Sequence, residues 1–516
     1  MNADGASLGA DTNCGAGQSS AEGQVVTSDI LKSTADERSI RASSACEIPR
    51  RRSAFHNMTT PLRSESTAPP LVASRLVTPA QAWYAVAILT IANVSGFVDR
   101  QILSLLVGPI KRDLQVTDTQ VSLLMGLGFV MFYSVLGLPI GRWVDRGHRP
   151  RIVALGVMVW SLMTMLTGTA RSYGHLFLAR IGVGAGEATL GPAAVSIIAD
   201  QFPRKRLGVA MSTYMMGTFL GSGVAYALGA YVVGRVDKPG LVSVPLVGDV
   251  YPWQLVFFFV GLPGLLVALL ALTIREPRVS SARAKQLNAA AQTPFAEVIT
   301  YLRANARTVG ALSLGFACSA SVNYGVGAWL ATFLIRTHAW TVQEAGTLQG
   351  VLTFTIGPLG VMLGGRLTDS WSKKGHIDAP LRVGMLGAIG MLIFAGLYPI
   401  VPSAMLAVAM LVPVNIFAAM PWGAANAAIA EAMPPRMRGQ GSAMYQLVVN
   451  LLSGALGPTA VALLTDKVFR DPLALRYSLA LSSVVGMSLA IALLAWGRPA
   501  FRTTIQRLRE ETDAAG

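Results

Sequence analysis

Arg180 and Glu187 stand inside the stretch "LFLARIGVGAGEATLGPAAVSIIADQF", residues 176–202, which is otherwise apolar or small as far as Ala199. A charged side chain at mid-bilayer costs about 2.5–3.5 kcal/mol on insertion scales, so two in one span ask for a use. On a helix, positions 180, 184 and 187 share a face, and the two charges lie roughly 10 Å apart along the axis. Asp99 and Arg100, in "GFVDRQ" (96–101), occupy a similar depth in an earlier apolar run. Asp99, Glu187, Arg180 and Arg100 therefore form a candidate proton-coupling cluster. Burial raises a carboxylate's pKa and a nearby arginine lowers it. An acid whose arginine contact is made in one conformation only titrates differently in each, which ties protonation to conformational exchange. Asp99 is the first choice as proton carrier and Glu187 the second, with Arg180 deciding when Asp99 is charged. The alternative is a structural ion-pair network that locks two helices, since buried pairs also persist for specificity.

These charges need spans to hold them, and the composition points to spans. Of 516 residues, 52% are apolar and 13% charged, against about 25% charged in average soluble domains. A window of about 19 residues gives apolar segments near 82–108, 120–142, 152–171, 174–200, 208–233 and 252–274. Six more follow a polar stretch, near 308–335, 345–369, 382–401, 404–433, 441–465 and 476–497. The fold class is thus an all-α, multi-pass integral membrane protein of twelve helices in two six-helix bundles. The net charge of +15 does not call for nucleic acid, because the basic residues cluster in short loops between spans. By the positive-inside rule these loops are cytoplasmic. Arg142, Arg146, Arg149 and Arg151 follow the second span, and Arg204, Lys205 and Arg206 the fourth. Both termini and the connector are then cytoplasmic, and a bacterial inner membrane and a monomer are expected.

Residues 1–78 lack apolar periodicity and read as a disordered tail, with a start at Met58 as an alternative. The first bundle is 79–274 and the second 308–497, with a cytoplasmic tail at 498–516. Between the bundles, the connector 275–307 carries Phe295, Val298, Ile299 and Leu302 at helical spacing, an amphipathic helix on the membrane surface. The halves repeat. "GRWVDR" (141–146) returns as "GRLTDS" (365–370), and "IADQFPRKRLG" (198–208) as "IAEAMPPRMRG" (429–439), each at the same place relative to its span. Parallel repeated halves put a substrate site between them near mid-membrane.

An enzyme finds little support. The histidines (His56, His148, His175, His338, His376) are scattered over tail, loops and helix ends, and no nucleophile and base share common ground. No phosphate-binding glycine loop is present, and Cys14, Cys46 and Cys318 suggest neither a metal site nor a disulfide. No cofactor is called for. A channel would present rings of like residues along one pore, which two unequal halves do not offer. A secondary carrier remains.

In "GRWVDRGHRPR", Gly141, Asp145, Arg146, Arg149 and Arg151 match the cytoplasmic loop signature of the major facilitator superfamily, with His148 and Pro150 departing from it. Arg180, Gly184 and Gly186 match its fourth-helix signature. "GTFLGSGVAYALG" (217–229) is similar to its glycine-rich helix, with Ser222 where proline is common. The chain thus resembles that superfamily over roughly residues 80–498. "GFVDRQ" and "GVGAGEATLGPAA" (182–194) resemble the spinster-like branch, and pieces of the anion:cation symporter branch look similar. The first resemblance implies proton-linked export of amphipathic lipids or other organic molecules. The second implies proton-linked uptake of organic anions such as sugar acids or aromatic acids.

The resemblance also implies a cytoplasmic gate, shut by ion pairs when the carrier faces outward. Its members here are Gly141, Asp145, Arg146, Arg149 and Asp200, repeated in the second half by Asp369, Glu431, Arg436 and Arg438. The arginines have a second reading as topology signals; the repeated acids do not. Polar or aromatic residues inside spans are candidates for the substrate cavity. The first half offers Asn93 and Tyr214. The second offers Asn323, Tyr324 and Trp329, then Asn415, Trp422 and Asn426, and finally Tyr445 and Asn450. Each has an alternative use as glue between helices, and a cavity combines apolar walls with a few placed polar groups.

Overall fold

The computed structural model describes residues 77–236, 240–244, 248–276, 294–434 and 436–513. The expected tail, as far as residue 76, and the first part of the connector lie outside the described residues. Twelve helices are long and apolar enough to cross a membrane. In the first half they are α1 (Pro79–Leu105), α2 (Asp118–Gly137), α3 (Arg149–Thr167), α4 (Tyr173–Gln201), α5 (Arg206–Val233) and α6 (Pro252–Leu272). In the second they are α7 (Ala306–His338), α8 (Val342–Lys373), α9 (Ala379–Leu397), α10 (Ala404–Glu431), α11 (Arg438–Phe469) and α12 (Pro472–Glu511). A two-stranded antiparallel hairpin, β1 (Val242–Val244) and β2 (Gly248–Val250), lies between α5 and α6.

The halves are built alike. In the first, α1 packs on α5, α3 on α6 and α4, and α2 on α4; in the second, α7 packs on α11, α9 on α12 and α10, and α8 on α10. The likeness reaches single residues. Gln115 takes a left-handed backbone (φ 51°) two residues before Thr117, whose hydroxyl and Gln120 form a capping box that starts α2. Ala339 does the same (φ 54°) before Thr341, whose box with Glu344 starts α8. Each box satisfies two backbone donors that a helix start otherwise leaves open. The offset that relates "GRWVDR" to "GRLTDS" also relates these two starts.

Two seams join the halves, α2 against α11 and α5 against α8, and each closes on a pair of glycines. A Cβ on Gly126 would collide with the carbonyl oxygen of Gly454. A Cβ on Gly350 would come 2.9 Å from the carbonyl oxygen of Gly223. Only residues without a side chain let backbones approach this closely. The helices are irregular at the same places: α2 is interrupted at Gly126, and α8 turns π-helical over Leu352–Ile356, just beyond Gly350.

Residues 498–513, read from the sequence as a tail, instead continue the last helix to Asp513. Phe501 and Ile505 there are buried with Leu312 and Phe316 of α7, and Thr504 shares a hydrogen bond with Thr308 (2.9 Å). Apolar positions at helical spacing hold this end against the bundle. The connector helix, Phe295–Ala304, buries Val298 and exposes Phe295. Tyr301 ties it to the end of α10, its hydroxyl donating to the Ala432 carbonyl at 2.8 Å.

Candidate functional site

The fourth span is not one continuous helix. It breaks after Glu187, with a turn at Ala188 and Thr189 before the helix resumes at Leu190. The break is where α3 comes closest: a Cβ on Gly186 would lie 2.7 Å from the Trp160 nitrogen and 2.8 Å from the Gly156 carbonyl. Glu187 is thereby turned toward α1, where Gly96 leaves room for its carboxylate; a Cβ there would sit 3.2 Å from Oε2. Arg100 of α1 completes the pair. Its Nε donates to Glu187 Oε2 at 2.7 Å, and its terminal nitrogen lies 2.5 Å from the same oxygen. Its guanidinium is also 4.5 Å from the Phe129 ring centre and 4.9 Å from those of Phe97 and Tyr133. Ring faces attract such a cation, so Arg100 is held on two sides.

Arg180 does something different from what the sequence suggests. Both terminal nitrogens donate to the main-chain carbonyl of Asp99, at 3.1 Å each, and not to its carboxylate. Asp99 is 1% exposed, and neither of its carboxylate oxygens has a hydrogen-bond partner among the described residues. All four charged residues are thus brought together, but the direct ion pair is Arg100 with Glu187. Helical spacing shows which positions share a face and says nothing of which partner is chosen across a contact.

In front of this cluster lies a cavity of 340 Å³ between the halves. Arg100 and Arg180 line it, whereas Asp99 and Glu187 do not. The wall on the first half is therefore cationic and aromatic, with its two acids set behind. The opposite wall is neutral: Asn323, Tyr324, Asn415, Trp422 and Asn450 line it. The other five candidates are placed elsewhere. Asn93 donates to the Tyr214 carbonyl at 3.2 Å, which ties α1 to α5 and uses both positions. Trp329 is fully buried and donates from Nε1 to the Pro458 carbonyl at 2.9 Å, tying α7 to α11. Asn426 turns back onto its own helix at Trp422 (3.0 Å), and Tyr445 is buried among Ile429, Met433 and their neighbours. Asn93 and Trp329 thus tie helices together, because a carboxamide or indole satisfies a neighbouring backbone as readily as a ligand.

At the end of the bundle that carries the basic loops, Arg149 reaches Asp200 at 2.5 Å and Glu276 at 3.0 Å. The side chains of Asp145 and Arg146 lie outside the described residues, and a Cβ on Gly141 would meet nothing within 4 Å. The second half does not repeat this arrangement with the residues its motifs suggest. Among the described residues, Asp369 and Glu431 make no ion pair; Arg436 pairs with Glu297 of the connector helix (2.6 Å), and Arg438 donates to the Met433 carbonyl. The acid that gathers cations there is Asp378, which meets Arg382 (3.1 Å), Arg498 (2.7 Å) and Arg502 (2.9 Å). At the opposite end, the halves are bridged. Asp118, fully buried, takes a fork of bonds from Arg336 of α7 (2.6 and 2.8 Å) and one from Lys111 (2.5 Å). Asp466 of α11 accepts from the amide and hydroxyl of Thr119, 2.7 Å each. Asp118, Asp378 and Glu276 went unremarked in the sequence because a charge at the end of a span is ordinary.

The sequence profile of the Major Facilitator Superfamily matches residues 89–458. An MFS-type efflux pump of Mycolicibacterium smegmatis is 30% identical over 407 residues, 76% of this chain and 86% of the pump. A probable L-galactonate transporter of Escherichia coli is 28% identical over 334 residues, 62% of this chain and 68% of that protein. Among solved structures, a bacterial homologue of the human lysosomal transporter spinster, inward-facing and unoccupied, superposes with a TM-score of 0.70. The identity is 27%, over 84% of this chain and 99% of that one. A profile match across most of the chain, together with this likeness of structure, settles the family: the chain belongs to the Major Facilitator Superfamily of transporters, is similar to its spinster-like members, and is not an enzyme.

Proposed function

We propose that the protein is a proton-coupled carrier of an organic anion with an apolar body, working by alternating access across a bacterial inner membrane as a monomer. One observation carries the reading: two arginines face the cavity while their acids stand behind them, one paired and one without a hydrogen bond. An anionic group entering the cavity meets Arg100 and Arg180, and aromatic and aliphatic walls take the rest of the molecule. An anion drawing on Arg100 competes with Glu187 for it, and one drawing on Arg180 alters its hold on α1 at Asp99. Protons then matter, because a buried carboxylate that loses its cation is stabilised by protonation. Asp99 serves as the carrier of the coupled proton, with Glu187 answering through Arg100.

The basic end is cytoplasmic on this reading, by the positive-inside rule. The bridges between the halves at Asp118 and Asp466 lie at the other end, which corresponds to an inward-facing state. Uptake of sugar acids or other small organic acids is the second reading, favoured by the carboxamides of Asn323, Asn415 and Asn450 on the neutral wall.

The test is transport by the purified protein in liposomes under an imposed pH gradient, with lysolipids and carboxylates as candidate cargo. Asp99→Asn should keep counterflow exchange and lose proton-driven accumulation. Glu187→Gln should accumulate less while keeping the pH dependence of binding. Normal accumulation in both variants would make the cluster a structural tie.

A further inference from the structure

Gln349 of α8 is 4% exposed and lines the cavity on the side away from the arginines. Its Nε2 donates to the Gly327 carbonyl of α7 at 2.7 Å. A carbonyl only accepts, so this bond fixes which way round the amide sits. Oε1 is buried behind the cavity surface, with no hydrogen-bond partner among the described residues. Across from it on α5, Tyr226 also lines the cavity and gives its proton to Gln101 Oε1 at 2.8 Å. The phenol oxygen therefore has only acceptor capacity left to offer. Buried polar atoms in folded proteins are nearly always satisfied, and an orphan among them asks for an explanation. The cavity lining thus holds two groups with acceptor capacity left, Gln349 on the second half and Tyr226 on the first, besides the donors-only Arg100 and Arg180.

We infer that Gln349 is a specificity-determining residue: it accepts a hydrogen bond from a hydroxyl or ammonium group of the substrate, whose anionic group lies on Arg100 and Arg180. The inference rests on the carrier reading for the site and narrows its substrate class. The cargo is an anion that also carries a hydrogen-bond donor, and an anion lacking the donor is rejected because Oε1 then stays unpaired. The donor can belong to a hydroxylated acid or to a lysolipid headgroup. The chemistry recognised is the same in both.

Binding to the full-length protein in detergent, read as thermal stabilisation, tests this without requiring transport. The probes are gluconate and lysophosphatidic acid, each beside an analogue lacking the hydroxyls. The wild type should prefer the hydroxylated member of at least one pair by about tenfold. Gln349→Met, similar in volume and without the acceptor, should remove that preference by weakening the hydroxylated probe while leaving the deoxy analogue unchanged. Tyr226→Phe should reduce the preference less, and supplies the reading should Gln349→Met fold poorly. Equal losses for both members of a pair would show a purely structural role and overturn the inference. So would a wild type that binds the two members equally or binds neither pair. Failure of gradient-driven uptake with the selectivity intact would instead count against proton coupling alone.

Discussion

The two halves brace the same joint with opposite charges. In the first, the residue that opens α3 is a cation, Arg149, held by acids at the ends of α4 and α6. In the second, the residue that precedes α9 is an acid, Asp378, held by Arg498 and Arg502 of α12 and by Arg382. What the duplication keeps is a contact between equivalent helices bridged by opposite charges, and not the residues that make it. The two versions are unequal in physics. A helix N-terminus carries a partial positive charge, so it favours Asp378 and works against Arg149. The first half compensates with two carboxylates around one cation; in the second, three cations and a helix N-terminus gather around one carboxylate.

That inequality can be tested. The largest loss is expected from Asp378→Asn, which leaves three arginines crowded at a helix N-terminus. Removing the buried acid from a cluster whose arginines are 30–45% exposed costs about 2–3 kcal/mol, to be read from unfolding midpoints in detergent. Next comes Asp118→Asn, at a bridge between halves and not within one. Its effect of about 2 kcal/mol should appear in the balance between states, as increased labelling of cysteines placed at the Asp118 end, with little change in unfolding. Arg149→Ala should cost less than Asp378→Asn, about 1–2 kcal/mol, because the helix end then favours the stranded Glu276. An equal or greater loss would sink the argument from polarity.

The last effect is one of pH. Burial works to raise the Asp378 carboxyl, but hydrogen bonds from Arg498 and Arg502, with the charges of Arg498 and Arg382, hold it at about 2, below its ordinary 3.8. A group whose folded pKa is depressed contributes stability that is complete above the unfolded value and lost as pH falls through the folded one. The Asp378 joint should therefore add no pH dependence to unfolding between pH 8 and 5. Its contribution should fade between about pH 4 and 2, and that fading should be absent in Asp378→Asn.

How much of this the sequence announces depends on the kind of residue. The twelve spans are plain because hydropathy accumulates over some twenty positions, and Asp99, Arg180 and Glu187 stand out because their surroundings are apolar. Their partners are not plain. Arg100 rather than Arg180 holds Glu187 because a break in α4 turns Glu187 toward α1, and the break depends on a close approach of α3 at Gly186. The same limit explains the cavity: Asn323 and Asn93 look alike in the sequence, and only the neighbouring helices decide that one lines the cavity and the other bonds a backbone carbonyl. Asp378 and Asp118 are missed for the opposite reason, since nothing in their local sequence is unusual.

The glycine seams carry a further consequence, about symmetry. Gly126 of the second helix meets Gly454 of the eleventh, and Gly350 of the eighth meets Gly223 of the fifth. The offsets of the two repeated motifs pair Gly126 with Gly350 and Gly223 with Gly454, so each seam is the other with the halves exchanged. Such reciprocity, in which residue i of one unit meets residue j of the next and j meets i, is what a twofold dimer of identical units has. At the centre of the chain the two halves therefore meet as the two units of such a dimer would. The connector holds together two parts whose surfaces already match.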